Sequence, residues 1–76
     1  MSIIVILKNI QKTQNDISAD YYIEGEPPKG FMRVRLSDGE VVEHENAGYG
    51  SSHVMYELQR LAKQANPPTE KNVLWY

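Results

Sequence analysis

The chain has 76 residues, of which 41% are hydrophobic and 24% charged, with ten acidic against eight basic side chains. This composition is typical of a globular protein and argues against disorder. The length allows one hydrophobic core, so we expect a single domain over 1–76. The absence of cysteine excludes disulfides and thiolate metal sites, and the net charge of −2 disfavours binding to nucleic acid through phosphates.

Neither a membrane span nor a signal peptide is expected. The longest apolar run, residues 3–7, is too short to cross a bilayer. It is also too short for the apolar core of a signal peptide, and no basic residue stands before it. The sequence therefore favours a cytoplasmic protein that does not contact a membrane.

Residues 2–8 predict a first strand, because they are almost all apolar and β-branched. Side chains alternate along a strand, so Val5 and Leu7 face one side of the sheet. Ile4 and Ile6 face the other side. A strand with two apolar faces is expected at the centre of a sheet that is covered on both sides.

The next segments predict a loop, a short strand and a turn. Residues 11–18 are polar and indicate the loop, and residues 20–24 indicate the second strand. Residues 25–30 carry Pro27 and Pro28 between two glycines. They indicate a turn, because proline cannot donate to a sheet ladder.

A β-hairpin is predicted after this turn. Residues 31–36 alternate in polarity and predict a third strand, and residues 40–45 predict a fourth. The sequence Ser-Asp-Gly at 37–39 favours a three-residue loop with Gly39 in the left-handed region.

The expected loop length sets the pairing of the hairpin. A three-residue loop places Val34 opposite Val42 and sets an arginine, Arg33, opposite Glu43, so that each face has one polarity. The predicted core side consists of Met32, Val34, Leu36 and Val42. The other side carries Phe31, Arg33 and Arg35, facing Glu43 and Glu45.

An amphipathic helix and a last strand complete the chain. Ser51 or Ser52 offers an N-cap, and the helix is expected to run to about residue 64 or 65. Residues 72–76 are apolar and aromatic and predict a fifth strand. The apolar stripe of the helix is Val54, Leu58, Leu61, Ala62 and Ala65, with Met55 at its edge. Its opposite face carries Tyr56, Gln59, Arg60 and Lys63.

These elements predict an α+β fold of the form β-β-β-β-α-β. The directions of the strands give a five-stranded antiparallel sheet of order 5-1-2-3-4, with the helix packed on one face.

One helix covers only one face of such a sheet, so apolar surface remains on the other. A contiguous apolar patch on a protein surface marks an interaction site. We therefore expect a protein partner, with a second copy of the chain as one candidate. The alternative is that the 11–18 loop or the C-terminal tail folds over this face. The candidate partner-binding residues are Phe31, Arg33 and Arg35 on the sheet, and Tyr56, Arg60 and Lys63 on the helix.

The segment 48–53 is a weaker candidate, for an anion or nucleotide. Its glycines precede a helix as in a dinucleotide-binding turn, but His53 replaces the third glycine and paired βαβ units are absent. Free amides of the first turn and the side chains there could hold an anion. The simpler interpretation is that the glycines turn the chain and a serine caps the helix. The residues of the candidate site are Gly50, Ser51, Ser52 and His53.

No motif predicts catalysis, a metal or a cofactor. His44 and His53 do not have the spacing of a metal-binding pair. The serines lack the arrangement of a nucleophile elbow. The sequence therefore favours a non-enzymatic interaction or regulatory module: an inhibitor, an adaptor or a subunit.

The alternative function is nucleic-acid binding. Phe31, Arg33 and Arg35 on one strand face could stack on bases and clamp a single strand. The glutamates expected across from these arginines argue against that function, as does the net acidity.

Overall fold

The computed structural model describes residues 3–24, 26–45 and 51–75. The strands are β1 (Ile3–Lys12), β2 (Asp16–Ile23), β3 (Glu26–Arg35), β4 (Val41–Glu45) and β5 (Lys71–Trp75), and the helix is α1 (Ser51–Leu61). They form one sheet of order β4-β3-β2-β1-β5 in which every neighbouring pair is antiparallel. The predicted fold class and strand order are confirmed. In the described part of the chain, no helix has the length and apolar character needed to span a membrane.

The first hairpin is longer than predicted, and the loop expected over 11–18 is wrong. Residues 11 and 12 belong to β1, and β2 begins at Asp16. The alternation of buried Ile17 and Ala19 with polar neighbours extends the strand through this polar stretch. Thr13 closes the turn, because its Oγ accepts hydrogen bonds from the N–H groups of Asn15 at 3.2 Å and Asp16 at 3.1 Å.

An irregularity in β1 lets the strand continue. The register of β1 and β2 shifts between Lys8 and Gln11, and Asn9 has φ 55°, a left-handed conformation that asparagine tolerates. A bulge of this kind changes the direction of the side chains that follow it. Ile10 consequently enters the core, with 4% of its surface exposed.

The turn predicted over 25–30 is also shorter than expected. Strand β3 begins at Glu26 and includes Pro27 and Pro28. The prolines lie where the register of β2 and β3 shifts. Proline is tolerated at such an irregularity, because the regular ladder is interrupted there.

The β3–β4 hairpin has the predicted pair at one position and a different pair at the next. Arg33 lies opposite Glu43 as expected, but Val34 lies opposite Val41, with a register shift between these two positions. The Arg35 N–H donates to the Glu40 carbonyl at 2.8 Å, so the loop has four residues rather than three. The left-handed conformation of Gly39 is confirmed by its φ of 74°.

This register corrects one side-chain prediction. Val42 is 45% exposed rather than part of the core, and Val41 packs against the core in its place. Glu45 lies opposite Phe31, as the expected pairing of Arg33 with Glu43 implies. The loop has one residue more than expected, and the bulge compensates for it, so the pairing of Arg33 with Glu43 is preserved.

The core lies between α1 and one face of the sheet, and α1 packs across β2 and β3. The helix ends at Leu61, earlier than predicted, and the predicted stripe residue Ala65 is exposed. Bonds from Lys63 to the Arg60 carbonyl and from Gln64 to the Leu61 carbonyl tighten the chain into a final i→i+3 turn. The core consists of Val5, Leu7, Ile10, Ile17, Ala19, Tyr21, Met32, Val34, Val54, Leu58, Leu61 and Val73.

A buried tyrosine covers a glycine inside this core. Tyr21 lies opposite Gly30 in the ladder, and its ring occupies the space where a side chain of residue 30 would lie. The ring is 2% exposed, and this burial raises the pKa of the Tyr21 phenol, since the charged form is disfavoured away from water.

Candidate functional site

The sheet face opposite α1, here called the open face, carries an exposed apolar cluster. Alternation along the strands places Ile4, Ile6, Tyr22 and Leu74 on this face. Ile4 lies opposite Leu74, and Ile6 lies opposite Tyr22. Ile4 is 48% and Leu74 46% exposed, and the other two are half-buried. These four residues are named the open-face cluster below.

The described residues do not cover the open-face cluster. Residues 11–18, the first segment that could have folded over this face, form the ends of β1 and β2 and the turn between them. Residues 71–75 form the edge strand β5. The intramolecular cover considered from the sequence is therefore absent from the part of the chain that the structure describes.

The arginines of the open face are paired with carboxylates. Arg33 Nη1 lies 3.0 Å from Glu43 Oε1, and the Arg33 guanidinium lies 5.5 Å from the centre of the Phe31 ring. Arg35 Nη1 lies 3.5 Å from Asp38 Oδ2. Both arginines of the strand are thus occupied by carboxylates, as the sequence predicted for Arg33. Ion pairs as exposed as these add little to stability, but they neutralise the surface.

Two lysines and an aspartate lie between these pairs and the open-face cluster. Lys29 Nζ lies 3.6 Å from Asp20 Oδ1. Lys8 is the cross-strand neighbour of Asp20, and its ammonium lies 5.7 Å from the centre of the Tyr22 ring. Lysine and tyrosine at this distance attract each other weakly.

The second group of candidate residues lies on the other side of the domain. Tyr56 is 63% exposed, and Lys63 is also exposed. An i,i+3 pair lies beside them on α1: Arg60 Nη2 donates to Glu57 Oε1 at 3.3 Å. The structure therefore separates two of the three sheet candidates, Phe31 and Arg33, from the helix candidates.

Glu57 has a structural role that the sequence did not indicate. Its side chain is only 9% exposed, and Lys71 Nζ lies 2.6 Å from its Oε1. This ion pair joins α1 to β5. Arg60 shares the same carboxylate, so one of the helix candidates contributes to holding the fold together.

Two candidate residues from different faces share one groove. Arg35 and Lys63 both line a groove of about 360 Å³ between the β3–β4 loop and the C-terminal half of α1. Gln59 Nε2 donates to the Gly39 carbonyl at 2.7 Å and ties the loop to the helix there. Asp38 also lines the groove, so its carboxylate partly compensates the positive charges of Arg35 and Lys63.

Only part of the candidate anion site lies within the described residues. Gly50 lies outside the described residues, as do the other residues of 46–50, whereas Ser51, Ser52 and His53 begin α1. Ser52 and His53 are exposed. His44 lies on β4 opposite Met32 and is exposed as well. Within the described ranges, no three His, Asp or Glu side chains converge as metal ligands would.

Sequence reasoning located the open face but missed part of its cluster. Leu74 was not singled out, because its side of the sheet depends on the register of β5 with β1. The apolar pattern of both strands was the available signal, since antiparallel pairing of 3–7 with 71–75 places Leu74 beside Ile4.

Comparison with family models, curated proteins and solved structures finds no match for this chain.

Proposed function

We propose that this chain is a small non-enzymatic module that binds a protein through the open face of its sheet. The observation that supports this most is the cross-strand pair of Ile4 and Leu74, each nearly half exposed. Ile6 and Tyr22 extend the pair into a contiguous cluster. Isolated exposed apolar residues are normal on proteins, whereas a contiguous patch indicates an interaction surface.

The charges around the cluster favour a protein over a polyanion. Arg33 and Arg35 are paired with carboxylates, and a nucleic acid would have to displace these to reach the guanidinium groups. The open face carries both signs in alternation instead of a basic stripe. Its bases are Lys8, Lys29, Arg33 and Arg35, and its acids are Asp16, Asp20, Glu24, Glu43 and Glu45. An apolar centre with a mixed polar surround is the composition of protein interfaces.

Affinity capture with two matched variants tests this function. Ile4→Lys places a charge in the open-face cluster, and Tyr56→Lys places the same charge on the exposed helix face. We expect the wild type and Tyr56→Lys to retain the same bound protein from the native host, and Ile4→Lys to bind it at least about tenfold more weakly, as a charge at an interface centre does.

Both variants must first show the wild-type far-UV circular dichroism spectrum, which is expected because both side chains are exposed. Equal capture by Ile4→Lys and the wild type would contradict the proposal. Loss of capture by Tyr56→Lys alone would assign binding to the helix face instead.

A further inference from the structure

We infer that the open face binds a second copy of the same chain, packed face to face about a two-fold axis. This inference rests on the proposed function and specifies its partner. It follows from the charges at the two ends of the open-face cluster, which make the cluster complementary to itself.

A lysine ends the cluster on one side. On β1 the open-face side chains are Ile4, Ile6 and Lys8 in succession. Lys8 is exposed and faces the Tyr22 ring. It takes part in none of the ion pairs of the described residues.

A glutamate ends the cluster on the other side. The Glu24 N–H donates to the Ile4 carbonyl at 2.6 Å, so Glu24 lies beside Ile4, about 13 Å along β1 from Lys8. Glu24 is exposed and is also outside the ion pairs of the described residues. Its φ of 56° is a left-handed conformation, at the point where the chain turns back from β2 into β3.

A two-fold axis places the Lys8 end of each copy next to the Glu24 end of the other, so that two ion pairs form. If the axis lies between the two open faces, perpendicular to β1 and near Ile6, the two copies of β1 run antiparallel. Lys8 of each copy then lies above the Ile4 and Glu24 end of the other. Because a two-fold contact uses the same surface on both subunits, the pair forms twice, and the apolar side chains of both clusters are buried between the sheets.

The open face is large enough for such a contact. A stable interface buries about 800 Å² per partner, which is about a sixth of the 4913 Å² accessible surface of this chain. The domain measures 34 × 21 × 20 Å, so its broadest face, 34 × 21 Å in projection, is close to that area. Face-to-face sheets pack about 10 Å apart, and α1 of each copy remains on the outside.

Charge reversal followed by sedimentation equilibrium tests the inference. The wild type is expected to be dimeric well below about 1 mM. Lys8→Glu sets two carboxylates against each other at both ends, and Glu24→Lys sets two ammonium groups there. Each variant alone is expected to dimerise at least about tenfold more weakly, as close interfacial charge pairs do.

The equimolar mixture of the two variants is the decisive sample. In a two-fold dimer of one Lys8→Glu chain with one Glu24→Lys chain, both contacts again join opposite charges, so association is expected to return to the wild-type strength. Lys63→Glu, which changes the net charge as Lys8→Glu does but on the helix face, is expected to leave dimerisation unchanged.

A wild type that stays monomeric at about 1 mM would overturn the inference, as would a mixture that associates no better than either variant. If the chain is monomeric while capture of another protein still depends on Ile4, the self-association is wrong and the proposed function stands. If neither occurs, both are wrong.

Discussion

Replacing Gly30 by alanine is expected to lower the free energy of unfolding by about 2–3 kcal/mol, the upper part of the range of about 1–3 kcal/mol for overpacking a core. A Cβ on residue 30 would lie 2.5 Å from Cε2 and 2.8 Å from Cε1 of Tyr21, closer than carbon atoms approach without a shift. The Tyr21 ring is buried and cannot rotate into solvent. A chain of 76 residues has a total stability of roughly 4–11 kcal/mol, so the loss is a large fraction of it.

Urea denaturation followed by circular dichroism measures this loss, and Gly39→Ala is the matched control. A Cβ on Gly39 would meet the flexible end of Gln59 at 2.9 Å, which can move, and the main cost is the left-handed backbone, about 1 kcal/mol. The loss from Gly30→Ala is expected to shrink when Tyr21 is replaced by leucine. An equal or smaller loss for Gly30→Ala than for Gly39→Ala would show that the ring does not cover residue 30.

Leu58→Ala is expected to destabilise the domain by about 3 kcal/mol, within the range measured for buried leucines. Leu58 is fully buried between α1 and the sheet, and its removal leaves a cavity that the remaining side chains fill only in part. With a core this small, the same substitution is expected to shift the thermal midpoint by at least about 12 °C.

The control for Leu58→Ala is Tyr56→Ala, two positions away on the same helix. Because Tyr56 is 63% exposed, its removal is expected to change stability by less than about 0.5 kcal/mol. Similar losses from the two substitutions would mean that α1 presents a different side to the sheet.

The fold class and strand order follow from local patterns in the sequence. The continuous apolar run in 2–8 and the alternation in 31–36 each predicted a strand. The helical period predicted Val54, Leu58 and Leu61 as core, and the structure buries all three. Such periodic signals are strong because residues spaced by the period of a strand or helix lie on the same face and share the same environment.

The sequence did not predict the two irregularities that set the registers. The left-handed Asn9 in β1 and the four-residue loop after Arg35 depend on the tertiary pairing, and residues 11–18 are polar enough to resemble a loop. A register shift moves side chains from one face to the other, which is why Val42 was assigned to the core by mistake.

The open face was predictable in kind but not in detail. One helix and a strand with two apolar faces imply an uncovered apolar surface, and this argument needs no register. Predicting which residues lie beside Ile4 on this surface does require the register, because Leu74 comes from β5 and Glu24 from the turn after β2. The self-complementary arrangement of Lys8 and Glu24 therefore became visible only in the structure.

Photo-crosslinking in the native cell tests the central claim most directly. A photoreactive residue in place of Ile4, on the open face, is compared with the same residue in place of Tyr56, on the helix face. The proposed binding surface predicts covalent protein adducts from position 4 and few from position 56, and a dimer predicts adducts of twice the mass of the chain. Absence of protein adducts from position 4, or equal yields from the two positions, would contradict the claim that the open face binds a protein.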